Sequence, residues 1–347
     1  MMTNAPALKS RMRSEIEEMP DAAQRLISAS VREVEAIAAR LREVDPVFIA
    51  TIARGSSDHA AAFLKYAIEL ETGLPVASLG PSIASVYGRQ MRLADSATFA
   101  ISQSGKSPDI VAMAANARRG GSLTIALTNV IGSPLVAESA HGLDMLAGPE
   151  LSVAATKSFV NSTVAGLLIL AAWTGNATLK AAIDALPAAL RQAIACDWTP
   201  LLHALEGHSS LYILGRGPSL PIAAEAALKF KETSGMHAEA YSAAEVMHGP
   251  ISIVGKSFPV LALCARDKSE PHVLTICENL VNQGASVFVT SSLASRAAQL
   301  PFATTGHGLT DALVQIASFY SFVEMLSRHR GLDPDKPPHL RKVTETV

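Results

Sequence analysis

Glu225, Lys229 and Glu232 recur at i, i+4 and i+7 in a stretch otherwise made of Ala, Leu and Phe, apart from Lys231. On a helix that spacing puts two carboxylates and an ammonium on one face. A solvated salt-bridge ladder has the same spacing, at ~0.2–0.5 kcal/mol per pair. Here the helix follows a strand, where open sheets bind ligands. It runs on into His237, Glu239, Tyr241, Glu245 and His248, before Gly249 and Pro250. A carboxylate near a lysine and a histidine is a general acid–base set. His248 at a helix stop is also what a cation favoured by the helix dipole looks like, so both readings stay open.

A second set suits an anion. Ser102, Gln103, Ser104, Gly105, Lys106 and Ser107 follow an apolar, β-branched run at 96–101 and precede a helical pattern at 110–117. Open N–H groups at a helix start, joined by three hydroxyls, fit a phosphate dianion. A cap and a tight turn alone would account for one Ser and the Gly. There is no Gly-x-x-x-x-Gly-Lys-Ser/Thr run, so this is not a nucleotide-triphosphate loop. A similar junction, Arg54 to His59 with Ser56 and Ser57, leaves a strand at 47–53. His59 reads more readily as structural than as a ligand contact. An acid–base set beside a phosphate loop points to a sugar phosphate as substrate.

Alternating strands and helices must position both sets. Residues 12–20 and 21–44 read as two helices, the second of which wraps a domain or pairs with a partner subunit. Strands at 47–53, 76–79, 96–101, 123–128 and, more weakly, 144–146 alternate with helices, and 151–173 is a helix or a loop feeding one. An Ala-rich helical connector with Pro187 follows, and the pattern restarts at 211–214. Arg54-Gly55-Ser56-Ser57 echoes Arg216-Gly217-Pro218-Ser219, and Leu64-Lys65-Tyr66 echoes Leu228-Lys229-Phe230, in matching element order. Residues 237–241 are read as a polar segment, and strands are expected at 259–265, 285–290 and 298–301. A closing helix at 310–328 buries Leu313, Ile316, Ala317, Tyr320 and Leu326. The expected fold is α/β with parallel sheets covered by helices. Its organisation is a helical segment 1–44, a first domain 45–175, a connector 176–205, a second domain 206–330 and a tail 331–347. In the tail, Lys342 is either a charge on a frayed end or part of a folded-back segment anchored by Leu340 and Val343.

Composition excludes several classes. With 347 residues, 49% hydrophobic, the chain can bury the cores of two domains. A net charge of −2 with no basic patch argues against nucleic acid. The most apolar run, 164–173, is too short to cross a bilayer, so no membrane association is expected. Cys196, Cys264 and Cys277 lack metal or redox spacing and read as reduced thiols of a cytoplasmic protein. The histidines show no metal spacing and no Gly-x-Ser-x-Gly elbow exists, so neither metal, nor cofactor, nor serine hydrolysis is expected.

Ile101 to Gly105, Val153 to Phe159, Leu214 to Gly217, Glu225 to Glu232, His237 to Tyr241 and Glu245 to Pro250 together resemble the sugar isomerase (SIS) domain family. More narrowly they are similar to the isomerase half of the glutamine–fructose-6-phosphate aminotransferases, over about residues 30–347. The resemblance implies two SIS domains, each a flavodoxin-like or Rossmann-like parallel sheet sandwiched by helices, and a homodimer. It implies that Ser57, Ser102, Gln103, Ser104 and Ser107 hold the phosphate of a hexosamine 6-phosphate. Ser56, the backbone at Val153 and Glu225 would face the sugar. Glu232 would move the C1/C2 proton with Lys229 nearby, and His248 of the neighbouring subunit would open the ring. Lys342 would sit on the tail that closes the site, where the synthases form a Schiff base with a ketose. Lys106 and Ala155 depart from the family's acidic residue and serine. Only about 45 residues precede the first SIS strand, which on this reading removes the glutamine-derived ammonia source. The expected activity is deamination of glucosamine 6-phosphate to fructose 6-phosphate. The alternatives are a fructosamine-6-phosphate deglycase, a galactosamine-6-phosphate deaminase or isomerase, and a non-catalytic sugar-phosphate sensor.

Overall fold

The computed structural model describes residues 9–294, 296–340 and 342. Helices α1 (Arg11–Ala29) and α2 (Val31–Val44) come first. The first α/β unit follows as β1 (Phe48–Ile52), α3 (Ser56–Thr72), β2 (Val76–Ser78), α4 (Ser82–Ser85), β3 (Ser96–Ile101), α5 (Pro108–Arg119), β4 (Leu123–Thr128), α6 (Pro134–Ala137), β5 (His141–Asp144) and α7 (Lys157–Thr174). Helices α8 (Ala177–Ile194) and α9 (Thr199–Ala204) lead to the second unit. It comprises β6 (Ser210–Gly215), α10 (Ser219–Ser234), β7 (His237–Ser242), β8 (Pro259–Ala262), α11 (Glu270–Asn282), β9 (Ser286–Val289), β10 (Ala298–Gln299) and α12 (Gly308–His329).

Each unit builds a five-stranded parallel sheet, in the orders β2-β1-β3-β4-β5 and β10-β9-β8-β6-β7. Read from opposite ends the two orders are the same, so the sequence echo is a true structural duplication. All six residues of β3 are buried, as expected for a strand covered on both faces. Helices α3, α7, α10 and α12 fill the space between the sheets, and Phe63, Phe159, Phe230 and Tyr320 lie in one continuous core. The expected α/β architecture is the one observed. No helix among the described residues is long and apolar enough to cross a membrane.

Several local expectations are corrected. The first helix runs through Pro20 and stops at Ser30, whose N–H and hydroxyl both reach the Leu26 carbonyl at 3.1 and 2.6 Å. A buried proline in a well-packed helix costs one backbone bond without ending it. Helix α3 starts at Ser56, so Ser56, Ser57 and His59 occupy its first turn and not a loop. Residues 237–241 form a strand, because an edge position beside β6 tolerates polar side chains around the single buried Ala238. The stretch from 151 is a loop that feeds α7.

Helix α1 braces both units. Glu18 accepts from the buried Lys157 at 2.7 Å, and Glu15 takes the backbone N–H of Ser152 at 3.2 Å. Arg13 pairs with Glu324 of α12 at 3.1 Å. Asp335 of the tail caps α1 by accepting from Arg11 and Met12 N–H at 2.7 and 2.8 Å.

Candidate active site

In the first sheet, strand order reverses between β1 and β3. That is the switch point at which open α/β sheets bind ligands. Ser56 and Ser57 begin α3 directly after β1, and the 102–107 loop leaves the end of β3. Ser102 is buried and accepts from Gly105 N–H at 3.2 Å, while Ser104 accepts from Lys106 N–H at 3.3 Å. Ser107 takes the N-cap position of α5 without a side-chain capping bond. Gly105 has φ +62°, and a Cβ there would run into Ser133, which explains the glycine. The Gln103 carbonyl accepts from Asn129 N–H at 3.1 Å, pinning the loop to the end of β4. Arg54, after β1, ion-pairs with the buried Asp109 of α5 and ties the two segments together.

The second set, on α10, meets the start of α3 at Ser56. Glu225 and Lys229 have fully buried side chains and Glu232 is partly exposed. This is not a solvated ladder. Lys229 Nζ lies 3.3 Å from Glu225 Oε1, forms an ion pair with Glu232, and donates to Ser56 Oγ at 3.0 Å. Glu225 Oε2 lies 2.9 Å from His59 Nδ1, and its Oε1 accepts from the Tyr320 hydroxyl at 2.9 Å. Burial alone would raise the Glu225 carboxyl, but Lys229 and His59 outweigh it and hold it below the usual carboxylate value. Burial likewise opposes charge on Lys229, yet Glu225 and Glu232 hold it above its ordinary value. Tyr320 is pushed well up by burial and then by Glu225, so it stays a donor. The set is therefore a fixed ionised pair with a more accessible carboxylate, Glu232, at its rim.

Lys342 folds back onto this region and donates to Glu150 Oε2 at 2.9 Å. The loop around it carries Val153, half-buried between the buried Ser152 and Ala154. A cavity of about 400 Å³ is lined by Glu232, Thr233, Leu332, Pro338 and Leu340, so the tail walls the space in front of Glu232. A wider cleft of about 720 Å³ runs past Gln103, Asn129, Asp144 and Glu150. Residue 341 and residues 343–347, including the Val343 expected to anchor the tail, lie outside the described residues.

His248 is not brought to the set. It is exposed beside a 3-10 turn, Glu245–Met247, and among the described residues its side chain has no hydrogen bond or ion pair. Sequence reasoning missed Glu150 and passed over His59 and Tyr320. Glu150 had a legible signal: a carboxylate just ahead of Thr156-Lys157-Ser158, where it accepts two N–H groups at 3.0 Å and caps α7. His59 and Tyr320 had none, since their meeting at Glu225 depends on how three helices pack.

Comparison with known proteins agrees with this architecture. The SIS domain profile matches residues 46–172 and 204–328. The glutamine–fructose-6-phosphate aminotransferase (isomerizing) of Sulfurisphaera tokodaii is 34% identical over 344 residues, covering 97% of this chain and 56% of that protein. The chain thus spans about half the length of such relatives. A crystal structure from Silicibacter pomeroyi DSS-3, described as a candidate phosphosugar isomerase, superposes with a TM-score of 0.91 at 53% identity, covering 94% of this chain and 100% of that one. The C-terminal domain of glucosamine-fructose-6-phosphate aminotransferase from Francisella tularensis gives a TM-score of 0.84 at 26% identity, covering 96% and 100%. With two matched SIS segments on two duplicated parallel sheets, the chain belongs to the SIS domain family.

Proposed function

We propose that this protein is a deaminating aldose–ketose isomerase that converts glucosamine 6-phosphate and water to fructose 6-phosphate and ammonia. The observation that carries the reading is the Glu232 carboxylate, oriented by a buried lysine that also touches Ser56 beside the serine loop. In the open-chain substrate Glu232 takes the proton from C2, giving a 1,2-enolamine. Return of a proton to C1 leaves an imine at C2, and water hydrolyses it with loss of ammonia. The phosphate, held by Ser57, Ser102, Gln103, Ser104 and Ser107, orients C1 and C2 from a distance. His248 from a second copy opens the ring. Lys229 holds the carboxylate in place, and Glu225 with His59 and Tyr320 holds Lys229. The similarity to aminotransferases named for amino transfer to fructose 6-phosphate supports amine chemistry at this carbon pair.

The test is a paired assay of the pure protein with glucosamine 6-phosphate. Fructose 6-phosphate and ammonia are expected in equal amounts, and Glu232→Gln should lower turnover on the order of 10²-fold or more. Ketose phosphate without ammonia would make it a simple isomerase. Release of an amino acid from a fructosamine 6-phosphate, with glucosamine 6-phosphate untouched, would make it a deglycase. Binding without any turnover would leave a sensor.

A further inference from the structure

The second sheet repeats the switch point of the first. Its order reverses between β6 and β8, as that of the first reverses between β1 and β3. Ile52 pairs with Ala100, and Leu214 pairs with Ala262. One constant offset along the chain relates these two pairs. The same offset carries Arg54 to Arg216, Ser57 to Ser219 and Ser107 to Ser269. Ser107 and Ser269 both take the N-cap position of the helix that follows, α5 and α11. Ser102 and Ser104 instead become Cys264 and Arg266, so the second unit lacks the hydroxyl-rich loop. What it has in exchange is basic. A cavity of about 330 Å³, just beyond the ends of β6 and β7, is lined by Arg216, Ala243, Ala244, His272, Thr275 and Ile276.

No acid lines that cavity. Arg216 is half-buried, and among the described residues its side chain has no hydrogen bond or ion pair. The acids of the neighbouring 264–270 loop are committed elsewhere. Asp267 accepts from the Ser269 N–H and hydroxyl at 2.7 and 2.6 Å. Glu270 accepts from the Ser291 hydroxyl at 2.6 Å and lies 3.4 Å from Arg266. Arg266 itself donates to the Thr290 carbonyl at 2.7 Å and lies over the Phe302 ring. An unpaired guanidinium beside an imidazole, with no carboxylate, suits an anion. A second observation is independent of that charge. Ser219 begins α10 and is 1% exposed, and its hydroxyl has no partner among the described residues. Leaving a buried hydroxyl unpaired is costly, and a ligand oxygen would relieve it. A Cβ on Gly215 would run into the Ser219 carbonyl, so the glycine lets the first turn of α10 press against the end of β6.

We propose that the second unit carries its own phosphate site, with Arg216 and His272 receiving the anion and the Ser219 hydroxyl donating to it. The ligand is a phosphate group, free or as a small phosphate monoester. The positional argument rests on the phosphate assignment for the serine loop, whereas the cavity, Arg216 and Ser219 stand without it.

Equilibrium dialysis of the full chain against radiolabelled inorganic phosphate tests both sites at once. Two bound phosphates per chain are expected. Arg216→Gln should weaken one of them by about 10- to 100-fold, the worth of a hydrogen bond to a charged group, and leave the other. Ser104→Ala should do the reverse. Arg216 has no partner to strand, so its variant should melt with the wild type. If it melts early, His272→Gln on the exposed side of α11 takes its place. That variant should weaken the same phosphate about threefold or more, and unchanged binding there would overturn the proposal. One phosphate per chain, lost in Ser104→Ala and untouched by Arg216→Gln, would overturn the proposal and keep the serine-loop reading. One phosphate lost in Arg216→Gln alone would uphold the proposal and fail that reading. No bound phosphate in the wild type would overturn both. Glucose 6-phosphate, added in the Ser104→Ala background, then identifies the source of the group. Displacement of the label makes the ligand a monoester and retention makes it inorganic phosphate, and the site stands in either case.

Discussion

The Lys229 ammonium of the second domain donates to the Ser56 hydroxyl of the first across 3.0 Å. The acid–base set is thus built across the meeting of α10 and α3, and its geometry depends on how the two units pack. Lys229 is also the counterion of the buried Glu225 at 3.3 Å. Lys229→Met should therefore destabilise the fold by about 3–5 kcal/mol, the usual cost of leaving a buried charge unpaired. Adding Glu225→Gln should restore part of that loss. Chemical denaturation of the two single variants and the double variant measures this coupling directly.

His59 tests whether the set must be held from the first domain. Its Nδ1 lies 2.9 Å from Glu225 Oε2, and an ionised carboxylate there makes the ring nitrogen a donor. Hydrogen bonds to charged groups contribute roughly 1.5–3 kcal/mol. His59→Ala should lower kcat about tenfold or more while KM for the sugar phosphate changes little, because His59 acts through Glu225 and Lys229. Steady-state kinetics on the folded variant separates the two parameters.

The difference between what the chain reveals and what it conceals follows from range. The strands, their duplication and the serine loop are local patterns; they are present in the structure, except that the weak strand expected at 144–146 lies earlier, at His141–Asp144, and the last is only Ala298–Gln299. The i, i+4, i+7 spacing places Glu225, Lys229 and Glu232 together because one helix turn decides it. Whether that face met water or protein was not legible, since burial came from α3 and α12, far along the chain. Glu150 and Lys342 meet across 192 residues, and no pattern of period 2 or 3.6 reports such a contact. Pro20 and the polar run 237–241 misled for the opposite reason: local propensity was overridden by packing in one case and by an edge position in the other.

The phosphate assignment makes a clean prediction at Ser104. Its hydroxyl is half-buried and, among the described residues, accepts only a backbone N–H, from Lys106 at 3.3 Å, so its own proton can be offered to an anion. Ser104→Ala should raise KM for a sugar 6-phosphate by about 10- to 100-fold, the worth of one hydrogen bond to a charged group. The melting temperature should stay within a degree or two of wild type, because no buried partner is stranded. Calorimetric titration with a hexose 6-phosphate gives the affinity, and unchanged binding would move the phosphate elsewhere.

Stability should fall on both sides of neutrality for reasons located in one cluster. Glu225 and Glu150 titrate below the ordinary carboxylate value of 4.5 in the folded protein. The unfolded chain therefore binds more protons in that range, and stability is lost as pH falls through the folded values. Lys229 titrates above its ordinary 10.5. Its contribution is complete below that value and is lost as pH rises through the folded value. Melting temperatures of the wild type should therefore be flat between these limits and drop outside them. Glu225→Gln should melt lower throughout but with a shallower acid limb, and an unchanged acid slope would remove Glu225 from the account.

The most demanding prediction concerns His248. It sits exposed beyond a 3-10 turn, with no side-chain bond among the described residues, and Met247 and Ile253 beside it are 36% and 60% exposed. A histidine that opens a sugar ring must reach the substrate, yet among the described residues of one chain no hydrogen bond or ion pair joins His248 to Glu232. A two-fold dimer resolves the mismatch if each His248 serves its partner's Glu232, with the apolar side chains covered by the same contact. Glu232→Gln and His248→Ala chains should each be nearly inactive as homodimers. Mixed after dissociation, half of the dimers formed by random pairing are heterodimers, and one of their two sites holds both intact residues. About a quarter of the wild-type activity should then return, as two-fold symmetry requires. The proportion of heterodimers, read from native mass spectrometry, calibrates the expectation. Heterodimers in that proportion without recovered activity would place Glu232 and His248 in sites that each chain builds alone.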